Sequence, residues 1–463
     1  TTVGFRHLWG PAKRANLAAT AETDPDALYS AIEPSLALGL PFTPVTVSDE
    51  WFEWPTLPEL FPVSFPGIKT SRDGFLVDVD LDRLRSRVAD YFDTSVSHEE
   101  IARRYPSVMA STARFDARDV RDTLLRRGGP DESGFIRFAY RPFDTRWLYW
   151  EKDTKLLDEK RADYKPHVFA GNSWLSAARH LRKGSGEPQA CHTAHMGSLH
   201  LIERGALMCP AWLDDQGLES AANESRRPNL SAEASKYLNR VGATVEDLFY
   251  HVLAVLHDPG YRGANSGALS LEWPRIPLPG WPDGTGAGAI KALARSASRG
   301  RTLAALLDPD TPAQGVTEGQ LRPHLAEVAV PATADGRNMD GDDFTVDAGW
   351  GHLGVGDAVM PGQGIVIERA FTSGERQTMG EARSALGDST VDVYLNGRAF
   401  WRNIPVAVWQ YRLGGYQVLK KWLSYRERDI LSRALSMEEI LEFSSIARRI
   451  GSLLIYLHAF RKG

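Results

Sequence analysis

Residues 140–150 read YRPFDTRWLYW, and a basic run, TKLLDEKRADYK, follows at 154–165. The aromatic and apolar positions on either side of the Pro-Phe-Asp corner predict strands over Phe135–Tyr140 and Trp147–Trp150. Those strands, with further β segments and helical patterns elsewhere in the chain, make the fold class α+β. A distant segment, GGYQVLKKWLSYRER at Gly414–Arg428, carries the same mixture of rings, Lys and Arg. Planar rings beside guanidinium and ammonium groups form a surface suited to phosphates and stacked bases. The same residues also pack as scaffold, with basic stems lying over apolar surface.

Upstream, residues 1–58 combine a predicted helix over Lys13–Thr20 with Pro- and Trp-rich connections that run on into WFEWPTLPELF. They read as a collar around another surface. The segment GIKTSRDGFLVDVDLDRL alternates apolar and polar residues and turns helical by Leu84. Ser95 or Ser97 can cap a short helix with Glu99 and Glu100 in its first turn. A helix is predicted from Asp116 to Arg127, stopped by Gly128-Gly129-Pro130.

Residues 160–230 read as irregular and polar, and the next helix spans Thr244–Leu256, with Leu248, Val252 and Val255 on one face. GWPDGTGAGAI at Gly280–Ile290 is a linker, followed by helices over Ile290–Ala297 and Thr302–Leu307. Strands at Gly364–Phe371 and Val391–Leu395 precede helices at Tyr416–Arg426 and Met437–Phe460. The expected organisation is two or three subdomains with mixed β segments and a helical C-terminus. The divisions are a collar (1–58), a first subdomain (59–280), a linker with helices (281–326) and a second β-plus-helical subdomain (327–463).

The chain has 463 residues, a formal charge of −5 and two cysteines, Cys191 and Cys209. That charge argues against a protein basic over its whole surface, yet allows a basic face. With no disulfide framework, no signal peptide and no run of about 18 apolar residues, a reducing cytoplasm is the expected compartment and no membrane partner is expected. Thr1 in place of Met reads as a processing or excision boundary.

Motifs for catalysis are sparse. No phosphate-binding GxxxxGK[ST], dinucleotide fingerprint, nucleophile elbow or kinase set is present. GWGHLGVGD at Gly349–Asp357 reads as a turn series. Cys191, His192, His195, His200 and Cys209 offer zinc-type donors without paired CxxC spacing, so no metal site is assigned. Asp144, Asp153 and Lys155 imitate the acidic-x-Lys pattern of Mg²⁺-dependent nucleases, which is kept as an alternative. Between Lys152 and Lys183, cations alternate with Tyr164, His167, Asn172 and Trp174. There Lys and Arg could neutralise phosphates, and His167 or Asn172 could read base edges.

An ordered series of landmarks resembles the C-terminal target-recognition (specificity) region of type ISP restriction–modification enzymes and related adenine-N6 DNA methyltransferases. The series is FRHLWGPAKRANL (5–17), GIKTSRDGFLVDVD (67–80), YRPFDTRWLYWEKDTKLLDEKRADY (140–164), VEDLFYHVLAVLHDPGYR (245–262), WPRIPLP (273–279) and IPVAVWQYRLGGYQVLKKWLSYRE (404–427). The resemblance implies a sequence-specific recognition module for double-stranded DNA in a phage-defence system, not catalytic by itself. Its implied partner is an adenine methyltransferase domain, fused or separate. S-adenosylmethionine is expected there, and no cofactor in this chain, which lacks the NPPY tetrapeptide.

The expected DNA contacts are Lys155, Lys160, Arg161, Lys165, Arg182 and Lys183 from the first segment. Tyr416, Gln417, Lys420, Lys421 and Arg426 are added from the second. Phe143 and Trp147 are expected to pack, and Asp144 to pair with Arg141 or Arg146. A protein-interaction module docking a methyltransferase through the Trp-rich collar is the remaining alternative.

Overall fold

The computed structural model describes residues 3–20, 23–180, 187–203, 205–215, 226–283, 286–354 and 358–460. Its architecture is mixed α+β, with three four-stranded sheets among the described residues and a long C-terminal helix.

The stretch at 140–150 lies in a hairpin. Strands Phe135–Arg141 and Asp144–Tyr149 pair antiparallel from Phe135↔Tyr149 to Arg141↔Asp144, with a register shift between Ala139 and Arg141. The corner is Pro142-Phe143, where Phe143 adopts φ 59° and its ring is buried. A left-handed non-glycine residue costs roughly 1–2 kcal/mol, and the packed ring offsets that cost. Val77–Asp78 pairs antiparallel with the second strand of the hairpin and Met196–Gly197 pairs parallel with the first, forming the two edges of the sheet.

A second sheet orders Phe65–Pro66, Leu207–Pro210, Trp174–Ala177 and Ala190–Thr193, all antiparallel. Three of its strands fall in the region the sequence reads as irregular. Both faces of Trp174–Ala177 and Ala190–Thr193 are buried, so neither shows the polar alternation by which a half-exposed strand is recognised. The third sheet, Val330–Thr333, Ala399–Pro405, Ser389–Tyr394 and Val366–Ala370, is also antiparallel.

Helix ends follow local chemistry. Asp116 accepts from the amides of Arg118 and Asp119 to start Ala117–Arg127, and Gly128 ends it at φ 91°. Ser97 caps His98–Arg104. A reciprocal Thr244–Asp247 box opens Val245–His257. The two helices expected around 290–307 are one, Ala287–Leu307. Gly300 lies within it because that helix packs against Val245–His257. A Cβ at 300 would lie 1.8 Å from the Tyr250 carbonyl oxygen.

One contiguous core runs through the chain from Leu57 to Leu457. A small separate cluster unites Leu38 and Trp51 with Ala268 and Leu269, and the Trp51 indole donates to Glu272 at 2.6 Å. Trp9, Leu36 and Phe42 are exposed in the same N-terminal region. Among the described residues, no helix is long and apolar enough to cross a membrane.

Candidate functional site

The two ring-and-cation segments meet in space. Strand alternation puts Asp144 and Arg146 on one face of the hairpin. There the Arg146 guanidinium donates to the Asp144 carboxylate at 2.6 and 3.1 Å. From the other segment, Arg426 donates to the same carboxylate at 3.2 Å, with Glu442 at 3.8 Å and the Trp422 ring 3.7 Å from its guanidinium carbon. Burial on its own would raise the Asp144 pKa. The two arginines overcome it and hold the carboxyl well below the usual range. Asp144 therefore joins segments far apart in sequence.

Beside this staple lies a cleft of about 880 Å³. The hairpin supplies Tyr140, Arg141 and Arg146, and the other segment supplies Tyr416, Lys421 and Tyr425. Gly414 and Gly415 bring the latter in: the Gly414 amide donates to the Pro188 carbonyl and the Gly415 amide to that of Ile202. A Cβ on Gly414 would come within 2.3 Å of the Ile202 oxygen.

The Arg141 guanidinium carbon stands 4.1 Å from the Tyr140 ring centre and 5.7 Å from those of Tyr416 and Tyr425. Arg146 stands 4.4 Å and Lys421 4.3 Å from the Tyr425 ring. Burial would raise the Tyr425 hydroxyl's pKa, but Arg141, Lys421 and Arg146 lower it below that of an ordinary phenol. Burial, together with the two arginines, also lowers the Lys421 ammonium's pKa.

The residues expected at a contact surface divide between several places. Lys155 is exposed, and it lines a shallow depression with Lys160, Arg161 and Arg114. Lys160 donates to the Lys152 carbonyl and Arg161 pairs with Glu159. Lys165 lies 5.6 Å from the Trp150 ring, its pKa lowered by burial. Tyr416 and Lys421 face the cleft, and the Lys421 ammonium donates to the Val359 carbonyl at 3.1 Å. Gln417 donates to the Trp409 carbonyl at 2.8 Å, and Lys420 is half-buried. Arg182 and Lys183 lie outside the described residues.

Arg426 is a correction: its side chain is 2% exposed and tied to Asp144, so it belongs to the scaffold and not to a contact surface. Asn172 is also buried, its amide donating to the Trp212 and His167 carbonyls, and Trp174 is fully enclosed. His167 accepts from the Asp214 amide at its Nδ1. Asn172 is thus engaged within the fold and does not present a base-reading group.

The carboxylates of the nuclease-like pattern are engaged by different arginines. Asp144 is held by Arg146 and Arg426, and Asp153 by Arg127 at 2.9 Å. Cys191 and Cys209 are buried in the second sheet, and burial pushes each thiol up to about 12. Burial also pushes His192 down to about 4, while His195 pairs with Asp310 at 2.8 Å. Among the described residues, no group of three or more His, Cys, Asp and Glu side chains could hold a metal ion.

Sequence reasoning missed Arg141, Arg146 and Tyr425 as cleft residues. Their signal is present in the shared composition of the two segments, but Arg141 and Arg146 are read there as alternative partners of Asp144.

The family described as the Type ISP C-terminal specificity domain matches residues 59–444. No curated protein matches the chain. Among solved structures, it resembles DrdV in a cryo-EM DNA complex, with 18% identity and a TM-score of 0.56, over 96% of this chain and 42% of that one. It also resembles a nuclease-deletion mutant of the Type ISP restriction–modification enzyme LlaGI with a DNA substrate mimic. Here the identity is 14% and the TM-score 0.57, over 99% of this chain and 33% of that one. LlaBIII, an ATP-dependent Type ISP enzyme bound to DNA, gives 12% identity and a TM-score of 0.54, over 97% and 26%. At these identities the likeness is one of fold, and the chain spans less than half the length of each.

Proposed function

Because this chain belongs to the Type ISP C-terminal specificity domain family, we propose that it reads a DNA sequence for a restriction–modification enzyme. The family match across residues 59–444 is the observation that carries this reading. The basic run fits it physically. Lys155, Lys160 and Arg161 lie together on the surface; Arg161 pairs with Glu159 inside the run, while Asp153 and Asp158 are engaged by Arg127 and Lys69 from outside it. Cations in such a place fix register on phosphates, and neighbouring loops then read the groove.

Catalysis is assigned elsewhere. An adenine methyltransferase domain, fused or separate, would hold S-adenosylmethionine and extrude the target base, while this chain supplies position and readout. Trp9, Leu36 and Phe42, each exposed and all within the N-terminal collar, are the side chains on which that domain would dock. The division into collar, first recognition subdomain, helical connection and second subdomain is proposed on the same basis, and the cytoplasm as the compartment.

Charge reversal at Lys160 and Arg161 together is expected to weaken duplex binding about tenfold or more, to a similar extent on specific and unrelated sequences. Fluorescence anisotropy over a salt series checks this, and the slope of log K against log salt should fall by about two. Unchanged retention on duplex at low salt would remove these residues from the contact set. Plasmid cleavage by this chain with Mg²⁺, lost in Asp153→Ala, would replace the recognition reading with a nuclease.

A further inference from the structure

Seven Lys and Arg side chains and three Asp line the cleft between the two segments, in a chain whose formal charge is −5. Of these acids, Asp73 acts electrostatically on Arg141 and offsets part of its charge without pairing with it. Asp73 accepts from the Tyr140 and Thr70 hydroxyls, Asp78 is bound by Arg87, and Asp429 is exposed. Of the cations, Lys69, Arg87 and Arg146 pair with carboxylates. Arg141 and Lys421 have no carboxylate partner among the described residues.

Arg141 uses one terminal nitrogen on the Tyr140 carbonyl at 2.6 Å and the Ser198 hydroxyl at 3.2 Å, and its Nε is buried without any partner. A buried donor left unpaired costs on the order of 1–3 kcal/mol. That cost is recovered if a ligand supplies the acceptor.

We propose that this cleft binds a phosphate group, held by the Arg141 guanidinium and the Lys421 ammonium with the Tyr416 and Tyr425 hydroxyls as further donors. The chemistry favours phosphate. Its several oxygens accept from a planar guanidinium fork and from point donors at once. The volume of about 880 Å³ also admits more than a bare ion. Low-dielectric walls concentrate the positive potential in the cleft although the chain as a whole is acidic. An anion beside Lys421 would also relieve the repulsion from Arg141 and Arg146 that, with burial, lowers its pKa.

The phosphate can come from the DNA backbone, in which case the inference rests on the recognition reading above, or from a free phosphate compound. Two measurements on the full chain separate these sources. The first is thermal unfolding in sodium phosphate against sodium chloride at matched ionic strength. The second is anisotropy with duplex DNA.

Wild-type protein is expected to melt higher in phosphate, as a ligand that binds only the folded state requires. Lys421→Met and Arg141→Gln should each remove that gain. If the source is DNA, each variant should also weaken duplex binding about tenfold on every sequence, with the salt slope reduced by about one. If the source is a free phosphate compound, duplex affinity stays at the wild-type value while the melting gain is lost.

Either pattern supports the site. Variants that keep the phosphate gain, whatever their duplex affinity, or a wild-type protein that shows no gain, overturn it. Should Lys421→Met or Arg141→Gln not fold, Tyr416→Phe keeps the ring and is expected to reduce the phosphate gain and, if the source is DNA, to weaken duplex binding two- to fourfold. No change there counts against the site. The Lys160/Arg161 reversal keeps the phosphate gain, so a failure of the DNA reading remains distinguishable from a failure of the cleft.

Discussion

Asp144→Ala is expected to destabilise the fold by about 3–5 kcal/mol, the usual cost of removing one partner from a buried ion pair. The carboxylate is 1% exposed and receives Arg146 at 2.6 Å and Arg426 at 3.2 Å. Without it two guanidinium groups are left facing each other, and Glu442, at 3.8 Å from Arg426, compensates only at longer range. Urea unfolding at pH 7 measures the loss. A change below about 1 kcal/mol would mean that the staple contributes no more than an exposed pair does.

The effect should depend on pH. The Asp144 carboxyl titrates lower in the folded chain than in the unfolded one, where it lies near 3.9. Its contribution is therefore complete above roughly pH 4 and is lost as the pH falls through the folded value. The gap between wild type and variant should narrow on acidification below about pH 4, and not above it.

Trp401→Ala should cost about 3–5 kcal/mol, the range for emptying a buried Trp site. Trp401 is fully buried in the third sheet. Its ring centre is 4.0 Å from that of Phe443, and its indole donates to the Ile440 carbonyl at 3.1 Å. Truncation leaves a cavity between the sheet and the C-terminal helix and removes that hydrogen bond. Trp9→Ala, at a site 77% exposed, should lie within about 0.5 kcal/mol of wild type and serves as the control. Calorimetric melting of both variants reads the contrast. Equal shifts would mean that the C-terminal helix is not held through this contact.

How much of this was legible in the sequence depends on the range of the interactions involved. Caps are local, so the starts of the Ala117–Arg127 and Val245–His257 helices followed from Asp116 and Thr244, and Gly128 marked where the former stops. The Asp144–Arg146 pair was legible as one of two alternatives; the strand that begins at Asp144, where residues two apart share a face, decides for Arg146. The strands between 174 and 210 were not, because buried short strands lack the alternation that identifies them.

For the candidate site, composition found both segments but could not assign roles within them. Arg426 and Lys421 lie five residues apart in one basic segment. The first is buried because its partner, Asp144, is 282 residues away, and nothing local reveals that. Arg141 flanks the same turn as Asp144, yet its guanidinium turns to Tyr140 and Ser198 beyond a register shift in the hairpin.

The separation of 282 residues between Asp144 and Arg426 also has a consequence in time. At roughly 5–20 residues per second, a ribosome needs on the order of 15–60 s to pass from one codon to the other. During that interval the emerging hairpin has Arg146 as its partner, and the far wall of the cleft does not yet exist. The N-terminal half of the nascent chain thus waits with a charged, apolar-rimmed face open to solvent. Ribosome-bound chains stalled before residue 414 should be cut by protease near the 140–165 region, and chains stalled after the C-terminal helix has emerged should resist. Equal cleavage of both would mean that the hairpin matures without its distant half.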